Sequence, residues 1–137
     1  FMNQSVTVNA NWSAGTTTCS AIWSCLPELS IQFPSAGFQS GSSGFYDFSV
    51  TNLSPWNLSG LSWAITSLDG LVFSLAPESG PVGGPLGLGA GNTFMGSTFV
   101  TCAVVQQEMT DRMFLTVTTA ANLEVIPRTA TIFVCTP

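Results

Sequence analysis

Nowhere in this chain do apolar residues keep the 3.6-residue spacing of an amphipathic helix; where they are ordered, they alternate. In FYDFSVTNL (45–53), Tyr46, Phe48 and Val50 stand against Asp47, Ser49 and Thr51, the two-residue period of a strand with one buried face. LSWAI (61–65) puts Leu61, Trp63 and Ile65 on one face, and LVFSL (71–75) follows a turn at Asp69-Gly70. LSIQF (29–33) reads as a short strand stopped by Pro34, and SAGFQSGSSG (35–44) as a Gly/Ser connection. APESGPVGGPLGLGAGN (76–92) is predicted to be irregular loop. TFMGSTFVTCAVV (93–105) is extended, QQEMTDR (106–112) is a polar turn, and MFLTVTT (113–119) is a strand with apolar residues on both faces. LEVI (123–126) and TATIFVC (129–135) close the pattern, with Pro127 holding the first to an edge or a corner. Seven or eight short strands separated by turn signals predict an all-β, antiparallel sandwich.

Ahead of that pattern lies SVTVNANW (5–12), where Val6, Val8, Ala10 and Trp12 alternate with Thr7, Asn9 and Asn11. The later segments suffice for a sandwich, so the chain divides into an N-terminal extension, 1–14, and a sandwich domain, 15–137. A surplus strand with one apolar face has to dock, because each large apolar side chain left in water forgoes about 1.5 to 3 kcal/mol. It either folds back as the first strand of its own sheet or adds to a sheet of the next copy.

Charge narrows the partners. Seven acidic residues face two basic ones, Arg112 and Arg128, with no lysine and no histidine. Such a chain cannot neutralise a phosphate backbone, which excludes nucleic acid as a partner. It has no attraction to an anionic membrane surface either. No run of 18 apolar residues occurs, so no insertion of the mature chain into a membrane is expected. Serine and threonine together number 33, so hydroxyls and amides must build the polar surface that charges do not.

The four cysteines, Cys19, Cys25, Cys102 and Cys135, lack metal-clamp spacing, and no histidine is present to join them. An even count in a strand-rich chain points to two disulfides and an oxidising, extracellular location. Three pairings are available; Cys19 with Cys25, closing a tight loop, and Cys102 with Cys135, joining two late strands, are favoured. Asn3, Asn11, Asn52 and Asn57 each head an Asn-x-Ser sequon, a candidate glycan acceptor. With no basic leader at Phe1, the sequence reads as a mature chain after signal-peptide removal.

Catalytic chemistry finds no footing. Without histidine or lysine there is no base for a serine or cysteine nucleophile. Glu108 and Asp111 fall within one predicted turn, where a solvated turn explains them better than a carboxylate pair or a calcium site, which takes roughly six to eight oxygens. No enzyme, no metal and no cofactor is expected. Among the aromatics, Trp63 is read as core, whereas Trp23 and Trp56 are candidate glycan contacts through stacking of an aromatic face on a sugar ring.

From about Leu26 onward the chain resembles the immunoglobulin-like modules of the BACON and Hydin-type families, relatives of the PapD-like sandwiches. FSVTNLS (48–54) matches a strand ending in an Asn turn, LSGLSWAI (58–65) a Leu-x-Trp strand, and SLAPESGPVGG (74–84) a Gly-rich bend. The resemblance implies an immunoglobulin-like antiparallel β-sandwich with an extra N-terminal strand, and adhesive, carbohydrate-associated or scaffolding use without a catalytic set. In design, a charge-poor, cysteine-stapled, sequon-rich sandwich with a detachable strand is similar to archaeal thread-like and bacterial chaperone-usher pilins. The expected function is a structural subunit of a cell-surface filament. Each copy would polymerise with itself, head to tail, by donating Val6, Val8, Ala10 and Trp12 to a groove in the next. The alternatives are a secreted adhesion or glycan-binding module with surface glycans as partners, and a viral surface protein on the same fold.

Overall fold

A computed structural model describes residues 28–84, 87–119 and 124–137, with the backbone alone at 8–9, 18–19 and 124–127. Two short strands, β1 (Val8–Asn9) and β2 (Thr18–Cys19), pair antiparallel in a ladder of their own, Val8 opposite Cys19. Val6, Ala10 and Trp12 lie outside the described residues, as does the boundary drawn at 14.

The other strands make two sheets. One holds β3 (Leu29–Gln32), β5 (Ser43–Asn52), β9 (Thr93–Cys102) and β7 (Phe73–Ala76), in the order β3-β5-β9-β7 and antiparallel throughout. The other runs β4-β11-β10-β6-β8, with β4 at Ala36–Gln39, β6 at Ser62–Ser67, β8 at Ser79–Pro81, β10 at Met109–Thr118 and β11 at Glu124–Thr136. β3 passes into β4, and β7 into β8, by switching sheets, so each side of the sandwich is a seam between two edge strands.

The alternation read from the sequence is what faces the two sheets together. Tyr46, Phe48 and Val50 on β5, Trp63 and Ile65 on β6, Met113, Leu115 and Val117 on β10 and Phe133 on β11 are all buried. Phe133 is the hub of one end of the core: the rings of Phe33, Phe38, Tyr46 and Phe73 lie 4.8 to 6.4 Å from it, Tyr46 and Phe73 edge-on and Phe33 and Phe38 tilted. Such packing suits ring quadrupoles and fills space at interior density.

Four expectations are corrected by the strand pairing. The Gly/Ser connection contains β4, whose Phe38 reaches Phe133 and whose backbone pairs parallel with β11 over Phe133–Thr136. The proline-rich loop contains β8, which borders β6. The polar turn is shorter than predicted, since β10 starts at Met109. The last two segments are one strand, β11, carried past Pro127 by a shift in its register with β10 between Leu115 and Val117. There β11 has β10 on one side and no β4 on the other, so a residue without an N–H is accommodated.

Candidate functional site

One end of the sandwich is organised around Asn52, the last residue of β5 and fully buried. Its side-chain amide donates to the carbonyls of Trp56 (2.8 Å) and Leu88 (3.1 Å), and its Oδ1 accepts from Ser54 N–H (2.9 Å). Ser54 in turn accepts Glu28 N–H through its hydroxyl at 2.8 Å, so one Asx turn ties the start of β3 to the loops after β5 and before β9. This corrects the reading of Asn52 as a glycan acceptor: the nitrogen a glycan would occupy is enclosed and spends both hydrogens on carbonyls. Asn57 differs, being exposed and using only Oδ1, which accepts Ala90 N–H at 3.0 Å. Asn3 and Asn11 lie outside the described residues.

The candidate sugar platform is not assembled. Trp63 is buried against Phe48, with ring centroids 4.8 Å apart, and Trp56 is half-buried against the core instead of standing free. Trp23 falls outside the described residues, so no two tryptophans share a solvent-facing surface among those described.

The carboxylates are placed as fold elements. Asp111 is buried on β10, not solvated in a turn; it accepts the Ser67 hydroxyl, and Asp69 N–H approaches it at 3.3 Å. Ser67 Oγ also accepts Gly70 N–H at 2.7 Å, so Asp111 anchors the turn after β6. Glu108 is exposed and apart from this network. No cluster of three or more metal-ligating side chains occurs among the described residues. Tyr46 is buried, its hydroxyl donates to the Pro34 carbonyl, and burial raises its phenol well above the usual value.

Cys102 on β9 and Cys135 on β11 are joined, with Cα atoms 6.1 Å apart, linking the two sheets through the core. The Cys19–Cys25 pairing involves residues beyond those described, apart from the Cys19 backbone.

What sequence reading missed lies on the outer face of the β3-β5-β9-β7 sheet. Phe45 and Phe99 are register partners, edge-to-face at 5.0 Å, and they are 76% and 37% exposed. Along the same face lie Met95, largely exposed, and hydroxyl pairs, Ser43 with Thr101 (2.9 Å) beside the rings and Thr51 with Thr93 (2.7 Å) at the far end of the strands. The signal was present in the alternation itself, since Phe45 falls on the polar side of its strand.

Among the described residues the sandwich shows no missing-strand groove. β11 lies beside β10 from Met109 to Thr118, so the place that a missing strand would leave open is filled by the chain's own strand. The accessible pairing positions are instead the four edges, β3 and β7 in one sheet and β4 and β8 in the other.

Two packed sheets, two sheet-switching seams and an inter-sheet disulfide define an immunoglobulin-like β-sandwich. Solved structures of that kind are similar over most of the chain. The seventh PapD-like domain of human CEP192 matches with TM-score 0.54 and 10% identity, covering 90% of this chain and 94% of that one. WR4, an MSP family member from C. elegans, matches with TM-score 0.50 and 11% identity over 78% of this chain and 96% of that one. The CARDB domain of the PF1109 protein from Pyrococcus furiosus, solved with di-metal ions, matches with TM-score 0.52 and 16% identity, over 81% and 88%. At these identities the likeness is one of fold. No family model matches the sequence, and no curated protein matches it.

Proposed function

We propose that this protein is a non-catalytic, extracellular structural subunit that polymerises head to tail, each copy donating its N-terminal strand to a neighbour. The observation that carries this reading is the closure of the sandwich on residues from Leu29 onward. The described pairings of both sheets run from Leu29 onward, and the described strands of the N-terminal segment pair with each other. Among the described residues Val8 and Asn9 pair with Cys19 and Thr18 alone, which leaves the other edge of that short ladder to pair in trans. Because β11 fills its own place, the donated strand adds to a sheet edge, where main-chain hydrogen bonds supply affinity and alternate side chains supply selectivity. Such a contact does not close on itself and so propagates. Exposed Asn57, with Asn3 and Asn11, would carry the glycans that keep a charge-poor filament soluble.

Electron microscopy of the purified chain, full length and lacking 1–14, tests this. Filaments from the first and monodisperse subunits from the second are expected, with Val8→Asp behaving like the truncation because it sets a carboxylate on the apolar face. Filaments from the truncated chain would refute the donor-strand role.

A further inference from the structure

We infer that the acceptor for the donated strand is the free edge of β7, together with the apolar row Ala76–Phe99–Phe45 that leads to it. This rests on the filament reading and names the surface that reading leaves open.

The row follows from the register. Ala76 on β7 stands opposite Phe99 on β9, and Phe99 opposite Phe45 on β5, so three outward residues cross three adjacent strands and end at the sheet's edge. Phe45 is 76% exposed, and Ala76 is exposed as well. A strand laid along β7 would place one of its alternate apolar side chains next in that row.

Among the described residues no strand pairs with β7 on that side. Ala103 N–H bonds the Val72 carbonyl at 2.8 Å, while Cys102 N–H turns the other way, to Ser42 on the β5 side, at 2.9 Å. Odd residues of β9 therefore serve β7, which makes Ser74 and Ala76 its bonded positions and leaves the N–H and C=O groups of Phe73 and Leu75 pointing outward. The usual protection of an edge is missing: β7 carries no charge, and Leu71 just before it is 83% exposed. The other edges are less inviting. β3 pairs β5 only over Ser49–Asn52 and so does not reach the Phe45–Phe99 row, β8 is three residues long and ends on Pro81, and the large side chain of β4, Phe38, is used inward on Phe73 and Phe133.

The place where the N-terminal segment leaves the sandwich sets donor and acceptor on opposite edges of one sheet. The segment departs at Glu28, at the start of β3, which is one edge of this sheet; β7 is the opposite edge. A sheet four strands wide spans only about 14 Å between its edge strands, and 27 residues reach up to about 90 Å when extended. A segment leaving the β3 edge of one copy and pairing with the β7 edge of the next gives a translational, head-to-tail contact, as polymerisation requires.

The full-length chain tests this with a photoreactive benzoyl-phenylalanine placed by Asn9→Bpa, irradiated in assembled material and mapped by mass spectrometry. Inter-subunit cross-links to 71–77 or to 95–101 are expected. Cross-links to 29–39 or 79–82, or none between subunits, would overturn the assignment. In parallel, Ala76→Lys should abolish filaments while leaving the melting temperature unchanged, since the residue is exposed, and Thr66→Lys on the outer face of the other sheet should leave filaments intact. Filaments from Ala76→Lys would overturn the acceptor. If the 1–14 deletion abolishes filaments and Ala76→Lys does not, only the acceptor falls; if the deletion leaves filaments, the donor-strand reading itself falls.

Discussion

The ring of Phe48 on β5 lies against the backbone of Gly96, its register partner on β9, in the space a β-carbon would need. Phe48 is buried between this glycine and Trp63, so it cannot swing aside without opening the core. Gly96→Ala should therefore destabilise the fold by about 1–3 kcal/mol through overpacking. Urea unfolding measures this. In a Phe48→Leu background the same substitution should cost clearly less, because the two residues are in contact and their effects are not additive. Equal costs in both backgrounds would mean that the ring is not what excludes the methyl group.

Asn52 should tolerate no replacement. Asn52→Ala leaves the Trp56 carbonyl and the Ser54 N–H without the partner they have, at about 1–3 kcal/mol for each group left unsatisfied, while the Leu88 carbonyl keeps Leu58 N–H. Asn52→Asp keeps the shape but points a carboxylate at the Trp56 and Leu88 oxygens. Burial raises the pKa of such a group above its unfolded value of about 3.9, so its deficit is small below that pH and grows as pH rises toward the folded value. Urea melts at acidic and neutral pH should separate the two variants. Peptide mapping of protein from its natural source should find Asn52 without a glycan.

Asn52 also shows where sequence reading reaches its limit. Asn-Leu-Ser is at once a sequon and an Asx turn, and only burial decides between them; the three-residue pattern carries no information about what packs over it. Alternation over ten residues is another matter. Tyr46, Phe48 and Val50 could be assigned to the core because one strand face has to be buried whatever its partner. β4 was illegible for the opposite reason: in AGFQ a single large apolar residue, Phe38, carries the packing, and its strand exists because β11 offers a partner 97 residues away. Asp111 was placed in a turn by its polarity, whereas its environment is supplied by Ser67 and Asp69, 42 to 44 residues away. Phe45 and Phe99 were each visible, but their meeting required the β5–β9 register.

The Cys102–Cys135 bridge closes 33 residues and joins the two sheets. Constraint of the unfolded chain by a loop of that length corresponds to about 3–4 kcal/mol. A Cys102→Ala/Cys135→Ala double variant, chosen to avoid a buried unpaired thiol or hydroxyl, should lose that much, with cavity formation adding to it. Thermal unfolding of this variant and of the parent checks the figure. Intact-mass measurement without reductant addresses the second pair: a deficit of about four protons from the fully reduced mass is expected if Cys19 and Cys25 are joined too.

Tyr46 gives the chain an unusual alkaline behaviour. It is the single tyrosine, and the sequence has no lysine and no histidine, so with the cysteines oxidised no other side chain titrates between about pH 9 and pH 12. Its phenol is buried, donates to the Pro34 carbonyl and packs against Phe33 and Phe133. Burial raises its pKa in the folded state above the value near 10 of an exposed phenol. Below pH 10 both states hold the proton, and pH has no effect through this group. Above it the unfolded chain releases the proton and the folded chain keeps it, so stability falls as pH rises, by up to about 1.4 kcal/mol per unit. Absorbance of tyrosinate should accordingly stay silent past pH 10 and appear together with loss of the folded circular-dichroism signal, not before it. Tyr46→Phe should start from a lower stability at neutral pH, having lost the bond to Pro34, yet show no decline between pH 10 and 12. A parent protein whose tyrosinate signal rises at pH 10 with its fold intact would place the phenol in solvent and contradict the packing described for this end of the core.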